Sequence, residues 1–175
     1  MSKTASVSSS RFPGPPPANR SRGRCIVVSD HLPILLHREG GRGWRVSPAH
    51  GALRPWLIAA LDDEVPFGVS DLVLSAVVRI ATNRRIFDPP STLAEALAFT
   101  QALRDSENAV PVAPGRRHWD LFADLCRRTG ATANLVPDVY LAALAIEHDC
   151  VWVSTDRGFA RFPGLRWRNP LEPES

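Results

Sequence analysis

Residues 134–162, NLVPDVYLAALAIEHDCVWVSTDRGFARF, constrain the fold more than any other stretch. They read as a helix, then a strand, then a short turn, with Asp138 opening the helix and Asp156 closing the strand. The strand reading rests on Cys150–Ser154, a short continuous apolar run. Cys25–Ser29 repeats the pattern: CIVVS is followed at once by Asp30, as CVWVS is followed by Thr155 and Asp156. Such unbroken runs suit central parallel strands covered on both faces. In open α/β sheets, ligands bind beyond the carboxyl ends of these strands. Asp30 and Asp156 therefore stand where chemistry occurs, and a helix returning along the sheet would bring Asp138 to the same end. An Asp after a strand also serves as a turn or N-cap residue, so each acid alone reads either way.

The remaining segments supply alternating elements. Pro33–Glu39 reads as a short helix, followed by a loop at Gly40, Gly41 and Gly43 whose GGRG lacks the Lys-Ser/Thr of a phosphate loop. Ser47-Pro48 gives an N-cap and first helical position for a helix to about Leu61, kinked at Pro55. Pro66–Val69 reads as a strand. Ser70 is positioned to cap a helix over Asp71–Thr82, with Leu72, Val73, Ala76, Val77 and Ile80 on its apolar face. Thr92 and Glu95 form a capping box for Leu93–Arg104, with Leu93, Ala96, Leu97 and Leu103 inward. Ala109–Ala113 reads as an edge strand because of Pro111. Arg116–Thr129 reads as a helix with Trp119, Phe122, Leu125 and Cys126 inward and Gly130 just past its end. Leu165–Trp167 forms a last strand. The alternation predicts an α/β sandwich around a mostly parallel sheet.

Composition narrows the class. With 175 residues, 44% hydrophobic and 22% charged, the chain reads as one soluble globular domain. The expected divisions are a disordered basic tail over 1–24, a folded domain over 25–171 and a short tail over 172–175. No run of about 18 uncharged apolar residues suits a membrane span. The first residues lack the apolar core of a secretory signal, so the cytoplasm is the expected location. Net charge is +3, and every basic residue except Lys3 is Arg. Arginine suits bidentate phosphate contacts, although GC-rich coding gives the same bias. Arg116-Arg117 and Arg127-Arg128 likewise suit phosphate contact or plain solvation. Cys25, Cys126 and Cys150 are far apart in sequence, form no zinc spacing, and read as structural thiols.

From Phe67 to Leu171 the chain resembles the PIN-domain ribonucleases, and among them the VapC toxins of toxin–antitoxin pairs. The resemblance is carried by VSDLVLSAVVRIATNRRIFDPP (69–90), HWDLF (118–122), NLVPDVYLAALAIEH (134–148) and STDRGFARFPGLRWRNPL (154–171). It implies a PIN-like three-layer α/β/α sandwich with a mostly parallel central sheet. It further implies an acidic pocket that binds Mg²⁺ or Mn²⁺ and cleaves single-stranded or looped RNA. The implied partners are a VapB-like antitoxin that blocks the site and further copies, as a homodimer or a toxin–antitoxin hetero-oligomer.

Residue by residue, Asp138 matches the acid of the penultimate motif and Asp156 that of the Ser-Thr-Asp motif. Thr155 matches the hydroxyl residue beside it, and Thr155 and Arg157 are the implied substrate contacts. Asp30 corresponds to the first-strand acid after a one-residue adjustment. Anchoring on His37-Arg38-Glu39 instead gives Ser29 the acid's position and His31 that of the Asn that follows. Ala76 and Gly158 stand where the family usually carries acids. Clustered carboxylates suit this chemistry because Mg²⁺ takes oxygen ligands and shares itself between carboxylates and substrate phosphate. The cation in turn offsets the repulsion among the acids. Two readings follow. One is a Mg²⁺-dependent endoribonuclease with Asp30, Asp138 and Asp156 as catalytic and metal-holding acids. The other is a catalytically degenerate domain that binds antitoxin or RNA. An unrelated hydrolase or nucleotide-binding fold would need G-x-S-x-G, G-x-G-x-x-G or a P-loop, none of which is present.

Overall fold

The computed structural model describes residues 25–28, 53, 55–60 and 66–172. The expected tail over 1–24, the Pro33–Glu39 helix, the glycine loop and the Ser47-Pro48 helix start lie outside the described residues. So does Asp30. In chain order the elements are β1 (Cys25–Val28), β2 (Phe67–Val69), α1 (Asp71–Ala81), α2 (Leu93–Arg104), β3 (Ala109–Pro111), α3 (His118–Thr129), α4 (Leu135–Glu147), β4 (Cys150–Val153) and β5 (Arg166–Arg168). Residue 53 and residues 55–60 are also helical. A 3-10 turn, Arg157–Arg161, links β4 to β5.

Among the described residues, the strands form one sheet in the order β3-β2-β1-β4-β5, with every neighbouring pair parallel. The two apolar runs are thus adjacent central strands, paired from Cys25↔Cys150 to Val28↔Val153. Pro111 lies on the edge strand β3, where its missing N–H costs no internal ladder bond. The crossover β2-α1-α2-β3 steps outward, whereas β3-α3-α4-β4 steps back across the sheet. Right-handed connections in opposite directions put the helix pairs on opposite faces. The result is the expected three-layer α/β/α sandwich.

Local chemistry sets the helix ends. Thr92 accepts the Glu95 N–H at 3.2 Å and its own N–H donates to the Glu95 carboxylate at 2.7 Å, completing the capping box of α2. Gly130 ends α3 with φ at 62°, a left-handed conformation that glycine adopts without a Cβ penalty. Ser70 occupies the N-cap position of α1 but makes no side-chain cap bond, contrary to expectation. Helix α4 starts at Leu135, one turn earlier than expected, with Asp138 in its first turn. Val139 and Leu141 to Ala145 are all buried, so this helix is apolar nearly all round and belongs to the core. Its small residues Ala142, Ala143 and Ala145 allow close packing in a cluster with Val27, Leu125 and the fully buried Trp152.

The inward faces of the other helices need correction. On α1, Leu74 is buried and Leu72 is exposed. On α2, Ala96, Thr100 and Leu103 turn inward, while Leu93 and Leu97 stay 60% and 50% exposed. Thr100 can be buried because its hydroxyl donates back to Ala96 O and Leu97 O. Trp119 on α3 is 71% exposed rather than inward. No described helix is long and apolar enough to cross a membrane.

One contact fixes where the third and fourth helices meet. Glu147, the last residue of α4, accepts the Gly115 and Arg117 N–H groups at 2.8 Å each, satisfying donors at the start of α3. Partial burial raises the pKa of Glu147. The two backbone donors, with His148 and His118 nearby, outweigh burial and hold it below the ordinary 4.5. A depressed carboxylate pKa gives stability above the unfolded value that is lost as pH falls through the folded one. Glu147→Gln is expected to lower stability by about 1 kcal/mol at neutral pH, near the low end for charged hydrogen bonds because the site is solvated. Denaturation measured from pH 7 downwards is expected to show this difference shrinking once pH passes below 4.5.

Candidate active site

Asp156 is the best-fixed acid at the carboxyl end of the sheet. It follows β4 and N-caps the 3-10 turn, its Oδ1 accepting the Gly158 N–H at 2.7 Å. Its own N–H donates to Ser154 Oγ at 3.1 Å. Ser154 is buried and tied to β5 twice: its N–H donates to Arg168 O and its carbonyl accepts from Trp167 Nε1, both at 3.1 Å. Phe159 and Phe162 then anchor the turn, Phe159 packing on Trp152 with ring centres 5.1 Å apart. A buried scaffold therefore holds an exposed carboxylate, whose Oδ1 is the oxygen committed to the turn.

Asp138 lies on a different element. Only His148 and Asp149 join helix α4 to β4. Counting back from Glu147, Asp138 lies about 14 Å up the helix at 1.5 Å per residue. Counting forward from Cys150, Asp156 lies at most about 20 Å up the strand at 3.3 Å per residue. A helix running back along β4 over that rise would bring Asp138 toward the end of the sheet that carries Asp156. Asp138 is half-buried, in the first turn of its helix. The helix dipole favours its charge there by about 0.3–1 kcal/mol. Strand β1 ends at Val28, register partner of Val153, so position 30 follows β1 much as Thr155 and Asp156 follow β4.

The other expected residues divide. Thr155 is exposed beside Asp156. Arg157 is exposed and ion-paired with Glu172 at 2.8 Å, a residue that also accepts from Asn169 at 3.0 Å. Reaching a phosphate would require Arg157 to exchange that carboxylate. Ala76 is half-buried and brings no acid, and Asp71 is engaged with Arg104 across α1 and α2. Arg127 and Arg128 flank Asp124 on the surface of α3.

Gly158 has a local reason to lack a side chain. A Cβ there would lie 2.8 Å from Asp156 Oδ1 and displace the oxygen that caps the turn. Sequence reasoning missed this, and it missed Ser154 as the support for Asp156. The signal was present in the Ser-x-Asp-x-Gly spacing, which matches side-chain-to-backbone turn bonds two residues apart.

A metal centre can be judged by its donors. Asp138 and Asp156 offer only oxygen, which suits hard cations such as Mg²⁺ or Mn²⁺. Among the described residues, no three His, Cys, Asp or Glu side chains gather as a metal-holding group. A cavity of about 360 Å³ lies elsewhere, lined by Ser70, Asp71, Arg104, Pro111 and Tyr140 among others, and none of the expected site residues borders it. An exposed acid on a rigid support fits an extended polyanion held through a cation better than an enclosed small molecule.

A family model for the PIN domain matches residues 43–165. Asp138, Thr155, Asp156 and Arg157 lie inside that match, and Asp30 lies outside it. Over 123 residues the chain is 45% identical to Ribonuclease VapC31 of Mycobacterium tuberculosis, covering 70% of this chain and 87% of the relative. Over 150 residues it is 40% identical to VapC ribonuclease Mb2897 of Mycobacterium bovis, covering 86% and 98%. Among solved structures, VapBC2 from Rickettsia felis bound to a promoter DNA fragment aligns with a TM-score of 0.56 at 11% identity, covering 83% of this chain and 98% of that one. Mycobacterium tuberculosis VapC20, a sarcin–ricin loop cleaving toxin, aligns at 0.52 and 16% identity, covering 80% and 98%. These two likenesses show a shared fold.

Gly158→Ala is expected to cost about 1 kcal/mol, the scale of a lost N-cap, and to turn Asp156 away from its cap. Thermal denaturation, with a crystal structure of the variant, checks both.

Proposed function

The chain belongs to the PIN-domain family, and from that membership we propose that it is the toxin of a VapBC-type toxin–antitoxin system, an endoribonuclease acting through Asp30, Asp138 and Asp156. The observation that supports the site assignment is the carboxylate of Asp156, exposed just past the end of central strand β4 and held by the Gly158 N–H. Asp138 and Asp156, with Asp30, would hold a Mg²⁺ or Mn²⁺ ion. When bound, such an ion neutralises phosphate charge and lowers the pKa of water.

The chain's own residues orient the reaction. Asp156 keeps Oδ1 on the Gly158 N–H, so its Oδ2 is the oxygen directed to the ligand. Asp138 sits in the first turn of its helix, whose N-cap residue is Asn134. Thr155 supplies a hydroxyl beside the scissile phosphate, and Arg157 binds a neighbouring phosphate by releasing Glu172. RNA hydrolysis would leave 5′-phosphate and 3′-hydroxyl ends. A cytoplasmic site of action goes with such a substrate. A VapB-like antitoxin is the neutralising partner, and Leu93 and Leu97, exposed one turn apart on α2, suit contact with another protein chain. Assembly as a homodimer or toxin–antitoxin hetero-oligomer belongs to the same reading.

The purified protein is expected to cleave RNA only with a divalent cation. Asp138→Ala and Asp156→Ala are each expected to lower the rate about 100-fold or more, the scale of removing a group that organises transition-state charge. Single-turnover cleavage of labelled RNA measures this. Equal rates in wild type and both variants would rule the assignment out.

A further inference from the structure

Cys25 and Cys150 are remote in sequence but direct register partners in the central β1–β4 pair. They stand at the amino ends of their strands, opposite the end that carries Asp156. Neighbouring strands run about 4.8 Å apart, within the Cα separation of about 4.4–6.8 Å that a disulfide spans. Both side chains join the same core cluster. Cys25 Sγ donates to Ile26 O at 3.9 Å and Cys150 Sγ to His148 O at 3.6 Å, both long contacts.

The two thiols are unequal. Cys150 is buried, whereas Cys25 is half-buried. Gly68 makes room for the Cys25 sulfur, since a Cβ there would come within 3.2 Å of it. A hydrogen bond from Cys150 holds the Cys25 thiol below its ordinary pKa; burial opposes this, and the Gly68 backbone adds to it. The same bond to Cys25, together with burial, pushes the Cys150 thiol far up. A more accessible sulfur beside a buried one, on directly paired strands, is the arrangement of an attacking and a resolving cysteine.

We propose that Cys25 and Cys150 form a two-thiol redox site for hydroperoxides, in which Cys25 attacks and Cys150 resolves. The Cys25 thiolate attacks one peroxide oxygen; the O–O bond breaks, hydroxide leaves, and the sulfur is oxidised to a sulfenic acid. The Cys150 sulfur then attacks Cys25 Sγ; the S–O bond breaks and water leaves with the Cys150 proton. Overall, two thiols are oxidised to one disulfide and one peroxide is reduced to two waters. The bridge ties β1 to β4, the strands that lead to Asp30 and Asp156, and its formation does not depend on RNA chemistry. Cys126, on α3, serves as an internal control.

The test uses the reduced full-length chain, hydrogen peroxide and peptide mapping by mass spectrometry without reduction. The expected product is an intramolecular Cys25–Cys150 disulfide reversed by dithiothreitol, formed several-fold faster than Cys126 is oxidised. In Cys150→Ser, a dimedone-type probe is expected to capture Cys25 as sulfenic acid. Equal oxidation of Cys25 and Cys126, bridging only between molecules, or loss of Cys25 to sulfinic acid without a disulfide would each overturn the proposal. Mapping of the native chain decides the matter even where the variant fails to fold.

Discussion

The structure depends on the parallel pairing of β1 with β4. Four register pairs, Cys25↔Cys150 to Val28↔Val153, join a strand near the start of the chain to one near its end. Every other element is arranged about that seam: β2 and β3 extend the sheet on one side, β5 on the other. The pairing is specified by burial. Val27, Trp152 and Val153 are almost wholly excluded from water, with both faces of β4 buried, and shifting a strand by one residue would exchange its side chains between two differently packed layers. Closing so long a loop is entropically costly, and hydrophobic burial is what offsets it. The seam also sets where the chain leaves β4, and with it the position of Asp156.

Rigidity at those ends comes from β5 rather than from the acids. Ser154 is clamped by Arg168 O and Trp167 Nε1, and it fixes the backbone from which Asp156 projects. The charged residue can therefore stay exposed without being mobile by default. Arg157 and Glu172 extend the clamp outward, so Glu172, expected in a terminal tail, is held against the domain. The absence of a side chain at Gly158 belongs to this same support, since the cap on Asp156 occupies the space. A position that reads as a missing acid in sequence is, in three dimensions, where the cap of the neighbouring acid packs.

Much of the fold was legible in the sequence because local and tertiary preferences agreed. The runs CIVV and CVWV became central strands, Thr92 and Glu95 formed their capping box, and Pro111 fell on the edge. Helix faces were less legible. In α1 apolar residues occupy nearly every side, so periodicity could not choose between Leu72 and Leu74; packing chose Leu74. In α2, Thr100 looked polar but satisfied its hydroxyl on its own helix, freeing it to face inward while Leu93 and Leu97 turned out. The motifs single out Asp138 and Asp156 as candidates, whereas the support from Ser154 and the Cys25–Cys150 contact required strand register, which sequence spacing does not encode.

We propose that the carboxyl end of the β1–β4 seam gathers acids to hold a hard cation. Anomalous X-ray scattering from crystals soaked in Mn²⁺ tests this without relying on activity. The expected result is a manganese peak about 2.1 Å from a carboxylate oxygen of Asp138 or Asp156, adjacent to both, and lost in Asp156→Ala. Manganese bound only at other sites, in crystals of a protein that still cleaves RNA, would contradict it.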